Sequence, residues 1–208
     1  FDEAAEIGGG DAAADLEVLG WRPYLESLSI RGAVLSLNGR PRDALEFAER
    51  LPQLLRRLGL NSDLSSMATD RIWLCWVLGD AERARRYASE ALQMAERFGS
   101  DRTVVYALWA SGVASCLGSR WEEGDGFLER ARERVAATGA GREWATLLPG
   151  FQALCWAGLD RREHSLALAT SGADEARVEK VIMPWMISCN LRARVLRVVG
   201  GVPHQGEL

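Results

Sequence analysis

Lysine, histidine and long apolar runs are scarce in this chain of 208 residues. Lys180 is the only lysine, so arginine carries nearly all of the positive charge, a composition that suggests a high-GC bacterial genome. No stretch reaches the roughly 18 consecutive apolar residues that a membrane-spanning helix requires. No signal-peptide pattern opens the chain. We therefore expect a cytoplasmic protein that makes no contact with a membrane.

An excess of positive charge is also lacking. The formal net charge is −4 and the pI is near 5.4, which argues against a nucleic-acid-binding surface. The sequence begins at Phe1 instead of Met and ends in GVPHQGEL. These ends lead us to expect a fragment of a larger multidomain protein.

Motifs for nucleotide, metal or nucleophile chemistry are missing. There is no GxxxxGK[ST] loop and no Rossmann glycine pattern. Zinc sites need Cys or His residues in pairs two to five apart, whereas the four Cys are isolated and the two His lie far apart. Cys155 and His164 have no third group to orient them as a nucleophile and base. The sequence therefore predicts no catalytic residue, metal or cofactor, and a protein that is not an enzyme.

A repeat with a period of 40 residues organises what is present. An apolar helix runs into Asn38-Gly39, the chain turns, and a second helix opens. The same event recurs at Gly79 and, more loosely, at residues 119 and 159. Gly59, Gly99 and Gly139 close successive second helices. A period of this length is typical of a stacked array in which each hairpin of two helices forms one unit.

Stop signals at the helix ends set the predicted bounds. First helices are expected at 23–38, 62–78, 102–118, 143–158 and 181–199, and second helices at 42–58, 80–98, 121–138 and 160–178. Residues 1–20 would be the end of a preceding unit and a connector, and the tail after Gly201 would begin another second helix. Pro52 and Pro149 should kink or delay their helices because proline removes a helix hydrogen bond.

The position five residues after each turn is small, at Ala44, Ala84 and Gly124. The two helices of a hairpin should approach closely there. In the fourth unit the count places His164 at this position, which predicts slightly splayed helices.

The cysteines Cys75, Cys116, Cys155 and Cys189 all fall in first helices. Neighbouring units should stack about 10 Å apart, beyond the roughly 7 Å between Cα atoms that a disulfide can span. We expect four buried, reduced thiols.

The units resemble tetratricopeptide repeats of a longer, 40-residue kind. The stretch GWRPYLESLSIRGAVLSLNGRPRDALEFAERL is more specifically similar to the C-terminal repeat region of large bacterial signalling proteins. In those proteins a class III cyclase or helix-turn-helix domain precedes a STAND-type ATPase and then the repeats, as in the helical arm of maltose regulators. The resemblance implies an all-α, right-handed solenoid of four to five hairpins, and places any cyclase or ATPase activity in other domains.

The same resemblance implies which side chains line the inner, concave face. Mapping the repeat positions onto the first helices places five large aromatics there: Trp73, Trp76, Tyr106, Trp109 and Trp156. Two interpretations remain open. The array could close on itself and make these rings core, or the rings could line a groove that binds a partner.

These observations predict a non-catalytic protein-interaction module of a cytoplasmic bacterial regulator. Its partner would be a protein or peptide, either another domain of the same polypeptide or a regulatory protein. The alternative is a sensor that holds a small effector inside the curl of the solenoid. A sensor would bind a metabolite saturably and melt at a higher temperature when loaded.

Overall fold

The computed structural model describes residues 31–57, 64–178 and 182–200. All regular secondary structure in these segments is α-helical, which confirms the all-α fold class. Residues 31–37 are helical. Nine further helices follow in the described part of the chain: α1 Pro41–Arg57, α2 Leu64–Leu78, α3 Ala81–Phe98, α4 Asp101–Leu117, α5 Trp121–Thr138, α6 Arg142–Ala145, α7 Leu148–Gly158, α8 Arg162–Val178 and α9 Ile182–Val199.

The helices match their predicted positions to within a few residues, with one exception. The first helix expected at 143–158 is divided into α6 and α7. Pro149 lies in the first turn of α7, where its missing N–H costs no helix hydrogen bond. Pro52, by contrast, lies inside α1. Residues 1–30, Gly59 and the tail at 201–208 lie outside the described residues, as do the predictions made for them.

The four turns between first and second helices share one backbone geometry. A residue with positive φ closes each first helix: Gly39 at 75°, Gly79 at 72°, Ser119 at 55° and Asp160 at 59°. Its N–H bonds to the carbonyl three residues back, and the next N–H bonds to the carbonyl five residues back, as in Arg40 N to Leu35 O at 2.9 Å. This is the Schellman arrangement, which satisfies the last carbonyls of a helix. The four first helices therefore end in the same way, which fits a helical, repeat-like fold.

The fourth turn lies one residue later than predicted. Its positive-φ residue is Asp160, not residue 159, so the position five residues on belongs to Ser165. Ser165 is fully buried and His164 is exposed. The prediction that His164 occupies the close contact of the fourth hairpin is therefore wrong. The physical reason is one extra residue between the third and fourth turns, since Asp160 lies 41 positions after Ser119, and the shift keeps a small side chain where the helices meet.

In the third hairpin, the position five residues after the turn requires glycine. A Cβ atom on Gly124 would lie 2.9 Å from Cys155 Sγ and 3.4 Å from the Gly112 carbonyl oxygen. Ala44 and Ala84, at the same position of earlier hairpins, are fully buried. A small residue at this position allows α5 to lie closely on α4 and α7.

The first helices form a continuous row, in which α2 packs on α4, α4 on α7 and α7 on α9. Each second helix bridges two members of the row: α3 contacts α2 and α4, α5 contacts α4 and α7, and α8 contacts α7 and α9. Helix α4 is buried continuously from Val105 to Cys116. A helix that is buried on every side carries apolar or small residues all round, as α4 does.

The second helices carry the exposed charges. Arg50 pairs with Glu46 one helical turn away, and Arg134 of α5 reaches Asp101 of α4. Exposed pairs of this kind contribute about 0–1 kcal/mol each. No helix in the described part of the chain is long and apolar enough to cross a membrane.

Candidate functional site

Three of the five aromatic residues predicted on the inner face are buried. Trp109 is 2% exposed, Trp76 is 7% exposed and Tyr106 is 9% exposed. A ligand would have no access to these rings in this structure. The core interpretation therefore describes them, and the groove interpretation does not.

A ring from the fourth unit fills the space between the two tryptophans. Phe151 meets Trp76 edge to face with ring centroids 5.2 Å apart, and meets Trp109 in the same way at 5.8 Å. Arg194 of α9 places its guanidinium 4.8 Å from the Trp76 ring centre. Because α2, α4, α7 and α9 all contribute, the inner surface closes at this cluster. No sequence pattern pointed to Phe151, which lies in the first helix predicted at 143–158.

Trp73 and Trp156 are partly buried. The indole N–H of Trp156 donates to Asp125 Oδ1 of α5 at 2.9 Å. The Gln152 amide donates to the same oxygen and to Glu129, both at 3.0 Å. These bonds fasten α7 to α5. Arg132 and then Gln152 lower the pKa of Glu129, so this carboxylate is a stable, ionised acceptor.

The four cysteines are free, as predicted, but the thiols of one pair lie closer together than the expected spacing of the helices indicated. Cys116 and Cys155 place their Sγ atoms 3.1 Å apart, although α4 and α7 belong to different units. Both side chains point into the tight contact next to Gly124, which overcomes the spacing of the helix axes. The hydrogen bond with Cys155, followed by burial, raises the pKa of Cys116 well above its ordinary value. Burial raises the pKa of Cys75 to about 12.

The expectation of four buried thiols is also corrected at Cys189, which is exposed on α9. Within residues 31–57, 64–178 and 182–200, no group of three His, Cys, Asp or Glu residues is placed to hold a metal ion. High thiol pKa values leave Cys75 and Cys116 protonated at neutral pH, so neither is an activated nucleophile.

Helix α9 carries the most extensive exposed apolar surface of the described residues. Met186 is 63% exposed and Leu196 is 46% exposed, with Cys189 and Ala193 exposed between them. Trp185 adds a partly exposed ring beside this stripe. We call the stripe the α9 face, defined as Met186, Cys189, Ala193 and Leu196. Its residues are spaced by three and four, so they share one side of the helix.

In the hairpin of α4 and α5, the corresponding side of the first helix is covered by the second helix. Gly112 and Ser115 of α4 lie against Leu128 and Gly124 of α5. There the second helix covers the first. No second helix follows α9 in the part of the chain that the structure describes. The α9 face was not predicted, because the sequence places the helix correctly but does not show which of its sides is left uncovered.

Comparisons of the chain with protein-family models, with curated proteins and with solved structures found no match.

Proposed function

We propose that this chain is a protein-interaction module, a tetratricopeptide-like right-handed solenoid that binds an acidic amphipathic helix on its α9 face. The partner helix takes the position that a second helix occupies in the earlier hairpins. The exposed stripe of Met186, Cys189, Ala193 and Leu196 carries this proposal.

The recurring hairpin geometry supports the solenoid. Four Schellman turns of the same form, a row of first helices and second helices that bridge neighbours are the relations expected when units stack in one dimension. In such an array a first helix without a second helix packed on it exposes the surface on which that second helix would lie.

The charge of α9 defines the chemistry of the partner. The helix carries Arg192, Arg194 and Arg197 and contains no acidic residue. Arg192 and Arg197 are exposed on either side of the α9 face, and among the described residues neither forms an ion pair. Arg194 lies instead over the Trp76 ring and donates to Asn190 Oδ1 at 3.0 Å. A helix with carboxylates flanking its apolar stripe complements this surface.

A protein partner fits these surfaces better than the alternative of a small effector held in the curl. The space at the centre of the first-helix row is occupied by Phe151 between Trp76 and Trp109. The exposed apolar surface lies instead on the outside of a helix, where an elongated partner has access.

The proposal extends to the cellular role. The chain would be a non-catalytic arm of a cytoplasmic bacterial regulator, with any cyclase or ATPase activity in other domains. The support is the similarity of residues 20–51 to the repeat arms of such regulators.

The test uses a fluorescein-labelled peptide with the sequence of α5, Trp121–Thr138, as the acidic helix. We expect saturable binding to the intact chain, measured by fluorescence anisotropy, that weakens as salt screens the charges. The double change Met186→Ser with Leu196→Ser should remove binding. The matched control is Val77→Ser, at an exposed apolar position of α2, which should bind as the unmodified chain does. Arg192→Gln should weaken binding and reduce its salt dependence.

Two results would contradict the proposal. One is binding that the double change on α9 leaves intact, because the peptide would then occupy another surface. The other is a dimer, seen by sedimentation, that the same double change disperses. That result would show that a second copy of the chain covers the α9 face.

A further inference from the structure

A small pocket lies between the second helices of the first two described hairpins. It has a volume of about 170 Å³ and is lined by Pro52 and Arg56 of α1, Arg71 of α2, and Glu90 and Met94 of α3. None of its described lining residues belongs to the aromatic cluster or to α9. It is therefore independent of the surface proposed above.

Arg71 is the unusual residue of this pocket. It is only 6% exposed, yet its closest carboxylate contact joins Nη1 to Glu90 Oε2 at 3.5 Å. Charge-assisted hydrogen bonds from a guanidinium are normally about 2.7–2.9 Å long and often bidentate. The Nε–H has no acceptor at all. A buried cation in this state has been removed from water without full compensation.

The neighbouring groups do not supply the missing acceptor. The Tyr87 ring lies under the guanidinium of Arg71, with its centre 4.3 Å from Cζ. This is a contact with the face of the ring, which supplies no hydrogen-bond acceptor oxygen. The Tyr87 hydroxyl donates to Glu49. Glu49 also attracts Arg83 at 3.8 Å and Arg86 at 4.0 Å. Glu90 is half exposed and contacts Arg71 through a single oxygen.

We infer that this pocket binds a small organic monocarboxylate, whose carboxylate accepts hydrogen bonds from Arg71 and Arg56. The planar donor fork of a guanidinium matches the geometry of a carboxylate. Among the described lining residues, two arginines and one glutamate give a single net positive charge, which matches a monoanion and disfavours a dianion next to Glu90. Pro52 and Met94 provide an apolar wall for a short carbon chain.

The volume limits the ligand to a few heavy atoms. Pockets for drug-sized ligands measure about 300–1,000 Å³, whereas this one is about 170 Å³. A carboxylate with two to four further carbons is the largest ligand that we expect to be enclosed.

The experiment titrates butyrate into the intact chain at constant ionic strength. We expect saturable heat by calorimetry, and a melting temperature raised by roughly 5–10 °C at a hundredfold excess over Kd. Butyramide, which has the same shape without the charge, should give neither effect. Inorganic phosphate should bind more weakly than butyrate.

Substitutions locate the site. Arg71→Met should abolish butyrate binding, and Arg56→Gln, at an exposed position that the fold does not require, should weaken it at least severalfold. The control is Arg85→Gln, at an exposed position of α3 that does not line the pocket; it should leave the Kd unchanged.

The inference is overturned if butyrate binding is still not saturated at about 100 mM, which is the range of ordinary weak anion binding. It is also overturned if Arg56→Gln binds butyrate as the unmodified chain does. Tighter binding of phosphate than of butyrate would overturn the assignment to a carboxylate. Should Arg71→Met fail to fold, the Arg56→Gln and butyramide comparisons still decide the outcome.

Discussion

Replacement of Trp109 by alanine tests the closed inner face most directly. The Trp109 side chain is 2% exposed and packs edge to face on Phe151. Removing a buried large aromatic costs about 3–5 kcal/mol, and losing an aromatic pair costs about 0.5–1.5 kcal/mol more. We therefore expect Trp109→Ala to lower the free energy of unfolding by about 4–6 kcal/mol. For a chain of this size the melting temperature should fall by roughly 10–20 °C.

The assay is urea unfolding followed by circular dichroism. Trp185→Ala is the matched control, because this ring is 41% exposed on α9, and its loss should cost less than about 1 kcal/mol. If the two substitutions proved equally mild, Trp109 would not be a core residue, and the aromatic groove would again be the better description of the inner face.

Three further predictions concern the turns, the thiols and the repeat. Ser119 has a φ of 55°, close to the values of Gly39 and Gly79 at the equivalent turns. Ser119→Gly should therefore raise the free energy of unfolding in urea by about 0.5–1 kcal/mol, and Gly79→Ala should lower it by a similar amount. A Ser119→Gly variant of unchanged stability would contradict this. The Sγ atoms of Cys116 and Cys155 lie 3.1 Å apart but both thiols are buried, so in a Cys189→Ser variant diamide should link these two cysteines only at raised pH in mild urea, where the contact opens and the thiols ionise, and the link should stabilise the chain by up to about 4 kcal/mol; linkage through Cys75 instead would refute the pairing. Deleting residues 80–119, one whole period, should leave a helical protein that melts cooperatively, whereas deleting residues 80–99 should expose core and broaden the transition; equal melting of the two would argue against stacked repeats.

The positions of the helices could be predicted from the sequence because the signals are local. Glycines and prolines at the ends of apolar segments placed α3, α4 and α5 to within a residue or two. The fourth turn was misplaced by one residue because the spacing there is 41 residues instead of 40, and Asp160 carries no glycine signal that would have shown the shift. Aspartate is among the few non-glycine residues that tolerate this conformation.

The candidate sites could be predicted much less well, because they depend on how the units are arranged. Whether Trp76 and Trp109 were core or surface followed from the curvature of the first-helix row, and a pattern within one helix does not specify that curvature. The contact between Cys116 and Cys155 required the knowledge that both side chains face the same narrow interface. Arg71 and Glu90 lie 19 residues apart on different helices, so no local motif pointed to the pocket.

The ring of Phe151 also has a consequence for how the chain opens. In a repeat array whose units contact only their neighbours, end units fray independently. Here Phe151 of α7 touches Trp76 of α2, and Arg194 of α9 lies over the same tryptophan. These contacts join hairpins that are not adjacent in sequence, so α9 cannot detach without uncovering a ring of α2. Amide hydrogens in α2, α4 and α7 should therefore exchange with solvent through a single shared opening event, as one cooperative folding unit.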